Sequence, residues 1–378
     1  MADAPDTLYV ATGGGGDVLG AAMVAASRGL PLGRLHVATF AWERKRYDPS
    51  LGPRGARNFE LLESPAPGVW RFSNRTRLRR GRSFLPALAG KTGCHIYLLD
   101  PEGGTHALRD QLDALMTHLA TPDLTLVDVG GDILARGGEA GLRSPTADSM
   151  ALAAAYATGR CRAALAVGLG LDGELTEREW RAACRNASES GARLEQPRPL
   201  DPTAAEALLA SFEWHPSEVA GLACMAALGL RGSAEVRGDG LRVELRRSSA
   251  YVHSFDPGWL IRRNKVAQAL AGTRSMPEVV AAVRAVTGRS ELDDERRMLD
   301  QSRDHRTSLL QPEELKQTED QLLDYSREAA ASGVSYLTLR RVGEMLRLSP
   351  RPFGQFRGHL ARRHPDRLRP PIWHTHGH

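Results

Sequence analysis

Five short apolar runs in the first half of the chain alternate with helical patterns, and three of those runs end in glycines followed by acids. The runs are Thr7 to Ala11, Leu35 to Phe40, His95 to Leu99, Leu124 to Val129 and Ala163 to Gly168. Between them, helical patterns span Val18 to Ser27, Thr105 to Leu119 and Thr146 to Thr158, and another follows at Thr176 to Ser190. Strands separated by helices make βαβ units, whose right-handed crossovers leave a mostly parallel sheet with helices on both faces. The fold class read here is therefore α/β.

Further along, Pro216 to Leu228 reads as a proline-started helix ending at Gly229. Ala234 to Val236 and Leu241 to Leu245 flank an Asp-Gly turn and read as a hairpin, and Tyr251 to Phe255 reads as one more strand. After Pro257 the pattern is helical to the end. The expected organisation is a ligand-binding domain over residues 1–260, a helical linker over 261–310, and a small helical C-terminal unit over 311–378. Residues 41–90 are irregular and rich in Pro, Gly and Arg, which predicts a long surface excursion.

Composition excludes several classes. Hydrophobic residues are 42% and charged residues 25% of 378, an ordinary globular balance that argues against disorder. No apolar run is long enough for a membrane span. The acidic start lacks the features of a secretion signal, so a cytoplasmic protein with no membrane partner is expected. Cys94, Cys161, Cys184 and Cys224 are scattered without a C-x-x-C pair, which predicts reduced thiols and no structural zinc. The net charge is +5, and six arginines fall between Arg71 and Arg82. They suit phosphate or nucleic acid, although a charge run by itself reads first as a solvated loop.

The chemistry concentrates at the strand ends. In an open parallel sheet, ligands bind beyond the carboxyl ends of the strands, where neighbouring connections leave for opposite faces. The first strand runs into Gly13-Gly14-Gly15-Gly16-Asp17, the fourth into Gly130-Gly131-Asp132, and the fifth into Gly168-Leu169-Gly170-Leu171-Asp172-Gly173-Glu174. Glycine lets a ligand approach the backbone and tolerates positive φ, and amides at a helix start attract anions. The same glycines also suit a plain tight turn with Asp17 at the helix start. The loop lacks the spacing of the dinucleotide G-x-G-x-x-G and the Lys-Ser/Thr of a P-loop. Its acid suits a ribose hydroxyl, an amino group or a divalent metal better than a phosphate laid directly on it. Asp128, Asp132 and Glu139 surround the second loop, and several carboxylates beside a phosphate are compatible with Mg²⁺.

The combination of GGGGDV at Gly13 to Val18, DVGGDILARGGE at Asp128 to Glu139, Ser144-Pro145 with Asp148, and Asp172-Gly173-Glu174 resembles the domain of unknown function 1152 family, over roughly residues 7–260. The resemblance implies a Rossmann-like fold with a small-molecule site, and carries Asp17, Asp132, Glu139, Asp148, Asp172 and Glu174 over as functional positions. It implies no particular reaction.

Three other segments carry chemically capable residues. Ser217 and Glu218 open the Pro216 helix, where helix initiation accounts for them as well as chemistry does, and no G-x-S-x-G elbow anchors a hydrolase triad. Gly343 to Phe353 resembles a helix-turn-helix, with Arg351, Arg357, Arg362 and Arg363 nearby, although Arg347 replaces the turn glycine and Pro352 falls early in the second helix. His374, His376 and His378 read as a tail that picks up metal adventitiously.

The expected function is therefore an enzyme that binds a nucleotide, nucleoside or phosphosugar and transfers or hydrolyses a group. Asp17, Asp132 and Glu139 stand nearest the chemistry. Gly13, Gly14, Gly15, Gly16, Gly130, Gly131, Asp148, Asp172 and Glu174 line the ligand. The alternative is a ligand-sensing regulator whose C-terminal unit binds nucleic acid, and a homo-oligomer is compatible with either.

Overall fold

The computed structural model describes residues 7–302 and 305–376; the acidic residues 1–6 and His378 lie outside the described residues. In chain order the strands are β1 (Leu8–Ala11), β2 (His36–Phe40), β3 (Phe59–Glu60), β4 (Glu63–Ala66), β5 (Val69–Arg71), β6 (Arg77–Leu78), β7 (His95–Leu99) and β8 (Leu124–Val129). They continue with β9 (Cys161–Val167), β10 (Arg193–Pro199), β11 (Gly232–Val236), β12 (Leu241–Leu245), β13 (Tyr251–Phe255), β14 (Val334–Thr338), β15 (Leu368–Arg369) and β16 (Ile372–His374).

Nine of them form one sheet in the order β10-β13-β9-β8-β1-β2-β7-β5-β4. The central five, β9-β8-β1-β2-β7, are parallel throughout. Antiparallel strands extend the sheet at both edges. The chain first builds outward from β1 through β2 to β7, then returns to the other side of β1 and builds β8 and β9. The border between β1 and β8 is thus the switch point, and the two Gly-Gly-Asp loops are neighbours across it.

Alternation along the strands sorts their side chains between two cores. Leu8 and Val10 pack with Leu108 and Leu112 of the Gly104–Leu119 helix and Met150 of the Pro145–Ala157 helix. Tyr9 and Ala11 pack on the opposite face with Leu19 and Met23 of the Asp17–Ser27 helix and Leu222 of the Glu218–Ala227 helix. Both faces are covered, as a parallel sheet requires. The helices after β1 and β8 therefore leave to opposite sides, and the crevice opens between their first turns.

The chain beyond residue 310 is helical in large part, and three strands join its helices. The order is helix Pro312–Ala331, β14, helix Leu339–Met345, helix Pro350–Arg363, then β15 and β16. That is the element order of a winged helix. Strand β14 pairs with β16 on one side, and on the other lies parallel to β11 of the predicted hairpin. Leu322, Phe356 and Trp373 build a local core, whereas Tyr336 and Ile372 belong to the larger core beneath the main sheet. Each such fully buried apolar side chain contributes roughly 1.5–3 kcal/mol.

The excursion over 41–90 is better ordered than its composition suggests. It contributes β4 and β5 to the main sheet, a small β3–β6 pair, and the helix Leu85–Thr92. Of the six arginines there, five are exposed, and Arg71 and Arg79 pair with Glu63 and Glu60. The four cysteines are unpaired. Among the described residues, no helix is long and apolar enough to cross a membrane.

Candidate functional site

Six carboxylates meet at the switch point in two groups. Asp17, Asp128 and Asp148 form the first, and Asp132, Asp172 and Glu174 the second; within each group the ligand-type oxygens lie within 4.8 Å of one another. Every main element at the crevice supplies one or more. Asp17 opens the helix after β1, and Asp128 is the penultimate residue of β8. Asp132 starts the short turn after Gly130-Gly131, Asp148 sits in the first turn of the next helix, and Asp172 and Glu174 follow β9.

The glycines turn out to make room mainly for the protein itself. A Cβ on Gly13 would sit 2.5 Å from Asp17 Oδ2, and one on Gly14 would sit 2.5 Å from the Trp42 carbonyl oxygen. On Gly16 it would meet Ser217 Oγ at 2.9 Å. Gly130 and Gly131 have φ of +135° and +104°, where a side chain is strained, and Gly130 also leaves space for the Asp172 carboxylate. The loops are thus pinned by close packing. The Gly13 amide donates to Asp17 Oδ2 at 3.0 Å, which turns that carboxylate back over the loop.

The two groups differ in how their charge is met. In the second, Glu174 accepts from the Arg143 and Ser144 amides at 2.7 and 2.9 Å and from the Ser144 hydroxyl. It is also paired with Arg237 at 2.8 Å. Although burial pushes its pKa up, Arg237 and these donors win and hold the carboxyl below its ordinary value. Asp172 accepts the Glu174 amide at 2.8 Å. Burial, then the neighbouring Glu174, pushes the Asp172 carboxyl up to about 7.

In the first group, Asp148 accepts from the Thr12 hydroxyl, and burial raises it to about 6. Asp128 is 1% exposed, and among the described residues neither of its oxygens has a partner in full hydrogen-bond geometry. Burial raises its pKa well above the usual range, and Asp148, Asp17 and Asp172 add to that, while the Gly131 amide eases its charge. Asp17 and Asp132 are raised in the same way, by burial first and by Asp148 next. Among the described residues, Glu174 is the one member of the six with an ion pair. Like charges about 4 Å apart repel by about 4 kcal/mol at an effective dielectric near 20, so the concentration of acid is costly unless something answers it.

Glu139 is not brought to these acids. Its carboxylate accepts the Arg136, Gly137 and Gly138 amides at 2.7, 2.9 and 3.1 Å. It lines a separate surface cavity of about 360 Å³ with Arg136, Glu179 and Lys265. The part foreseen for it in catalysis is corrected accordingly: Glu139 closes its own loop.

Three further acids stand at the site: Asp128, which the sequence placed around the second loop without a role, Glu43, which it did not single out, and Glu218, which it read first as a helix start. Asp128 lies within the apolar run Leu-Thr-Leu-Val-Asp-Val, where an acid is itself a signal, because a strand covered on both faces has no water for it. Glu43, next to Trp42, is buried against Gly15 and accepts the Phe84 amide at 2.8 Å; burial pushes it up to about 7. Glu218 is tied to Arg340 at 3.2 Å, to Arg44 at 3.8 Å, to the Arg237 amide and to the Thr338 hydroxyl. Those ties explain Glu218 as a structural acid. They also bring the C-terminal segment, through Thr338 and Arg340, to the edge of the crevice. Arg44 keeps one buried Nη1 without a hydrogen-bond partner.

A model of the family described as protein of unknown function (DUF1152) matches residues 8–299. The chain belongs to that family. The match to DUF1152 spans all six carboxylates and runs past residue 260, through the helices at Pro257–Arg263, Lys265–Leu270 and Met276–Thr287. It stops before β14, so Thr338 and Arg340 reach the DUF1152 portion from outside it. No curated protein and no solved structure matches the chain.

Proposed function

We propose that this DUF1152 protein is an enzyme acting on a small molecule that carries phosphate or ribose: a nucleotide, nucleoside or phosphosugar. Such a ligand lies in the crevice between the Gly13–Asp17 and Gly130–Asp132 loops, and a group is transferred or hydrolysed there. The observation that carries this reading is the convergence of five carboxylates without ion pairs at the switch point, where a merely structural site would neutralise them. Asp172, raised to about 7 by burial and by Glu174, suits proton transfer at neutral pH, as a general acid or base should. Asp17 and Asp132 flank the crevice and suit ribose hydroxyls. The unpartnered Nη1 of Arg44 suits an anionic oxygen.

The test uses mass spectrometry of the supernatant from denatured protein to identify what co-purifies, and thermal shift with AMP, ADP and ribose 5-phosphate. A ligand at 100 times its Kd stabilises the folded state by about 2.7 kcal/mol. At least one probe is expected to raise Tm in the wild type and to lose its effect in Asp17→Asn and Asp132→Asn. Equal shifts in wild type and both variants would remove the assignment.

One observation favours a second reading, that of a ligand-sensing regulator. The C-terminal elements run in winged-helix order and touch Glu218 beside the crevice. Arg351 and Arg362 are exposed on the Pro350–Arg363 helix. Deleting residues 311–378 would strip β14 from β11, so the cleaner test is Arg351→Ala with Arg362→Ala. This reading expects salt-dependent DNA or RNA binding that weakens in the double variant; salt-insensitive or absent binding in the wild type removes it.

A further inference from the structure

We propose that Asp17, Asp128 and Asp148 form a binding site for a divalent cation of the Mg²⁺ class, set between the ends of β1 and β8. Three elements that are distant in sequence place these carboxylates with their oxygens within 4.8 Å of one another. That spread is what one small cation with oxygen ligands can gather.

Acid clusters are common on protein surfaces, and proximity alone would not single this one out. The deciding feature is Asp128. It is 1% exposed, inside a sheet covered on both faces, and among the described residues neither of its oxygens is in full hydrogen-bond geometry with a partner, the Gly131 amide alone easing its charge. A buried carboxylate without a donor is costly, and such groups are normally paired or bound to metal. Around it stand Asp17 and Asp148, which repel it, and Thr12, whose hydroxyl is already given to Asp148. The adjoining group supplies an internal control. Glu174 has two amides, a hydroxyl and Arg237, so its charge is met by the protein, and it needs no cation.

The ligand set fits the hard cations. All donors are oxygens, with no histidine or thiolate to favour zinc. Mg²⁺ is typically held by one or two carboxylates and keeps other positions for water and substrate oxygens. Asp17 is half-buried while Asp128 and Asp148 are buried, so the open side of the site faces the Gly13–Asp17 loop. A cation there would bridge to a phosphate oxygen in the crevice and offset its charge against the acids. That bridging role rests on the function proposed above, but the cation site stands without it.

The test is isothermal titration of chelator-stripped, full-length protein with Mg²⁺ and with Mn²⁺ alone, no organic ligand present. One ion per chain is expected. Asp128→Asn and Asp17→Asn should each weaken binding by at least about tenfold, since even outer-sphere losses cost metal sites 10–100-fold. Glu139→Gln, whose carboxylate closes its own loop at a separate cavity, should leave binding as in wild type. Folded wild-type protein that takes up neither ion overturns the proposal, and that arm needs no variant to fold. Binding that survives both Asp128→Asn and Asp17→Asn, or that is lost equally in Glu139→Gln, overturns it too. If Mg²⁺ binds while AMP, ADP and ribose 5-phosphate do not, the cation site holds and the substrate reading falls; the reverse result separates them the other way.

Discussion

The two carboxylate groups at the switch point share a fold position and a residue chemistry, yet the protein treats Glu174 of one and Asp128 of the other in opposite ways. In one, Glu174 is enclosed by Arg237, two amides and a hydroxyl, and it locks the strand-end loop to the helix that begins at Pro145. In the other, Asp128 faces two further carboxylates, with the Gly131 amide alone easing its charge and no ion pair among the described residues. The first arrangement stabilises the fold. The second stores unfavourable charge where a ligand would use it, which is the expected mark of a functional site. Acids alone thus do not identify a site; what distinguishes it is whether the protein has already answered their charge.

The largest effect should come from breaking the satisfied group. Glu174→Gln takes away the ion-pair partner of the buried Arg237, leaving only the more distant field of Asp172, and removing one partner of a buried pair typically costs about 3–5 kcal/mol. Urea unfolding should show a loss of that size. A loss under about 1 kcal/mol would mean that Glu174 is not the structural acid described here.

The opposite sign is expected in the unsatisfied group. Asp128→Asn removes a buried charge and keeps the shape, so the chelated protein should gain about 1–2 kcal/mol, a common gain when a strained functional position is relieved. Destabilisation in the same measurement would show that the Asp128 charge is already answered within the protein.

A smaller effect concerns pH. Burial raises Glu43 and Asp172 to about 7 from ordinary values of 4.5 and 3.8. A raised folded-state pKa gives stability that is full below the unfolded value and is lost as pH rises through the folded one. With chelator present, these two groups should therefore make the protein less stable at pH 8 than at pH 5.5, measured by Tm. Glu43→Gln together with Asp172→Asn should reduce that slope, leaving the share of Asp148, which is raised to about 6; an unchanged slope in the double variant would exclude the two as its source.

The same contrast explains what could be read in the sequence. The five parallel strands and their helices were legible, because a buried parallel strand is a continuous apolar run and a glycine-ended run marks its close. Strand β13 matches its expected span, Tyr251–Phe255, and the hairpin turn at Asp239-Gly240 was visible. Strand β10 was not foreseen: Arg-Leu-Glu-Gln-Pro-Arg-Pro alternates weakly and contains two prolines, tolerable because it lies on the sheet edge. Strand β14 was hidden by its brevity between two helices and gains its place from a partner, β11, about a hundred residues earlier. At the site, the acids after glycines were easy to find. Asp128 carried no loop signal, and Glu139 carried a false one, since a Gly-Gly-Glu segment reads alike whether the acid serves a ligand or its own amides. Whether a carboxylate is answered depends on partners such as Arg237, which no local pattern connects to Glu174.

The most direct test of the account is the response of Tm to millimolar Mg²⁺ after chelation, in wild type, Asp128→Asn and Glu139→Gln side by side. The account predicts a rise in wild type and in Glu139→Gln and none in Asp128→Asn. A wild type that does not respond, or an Asp128→Asn variant that responds as fully as wild type, would contradict it.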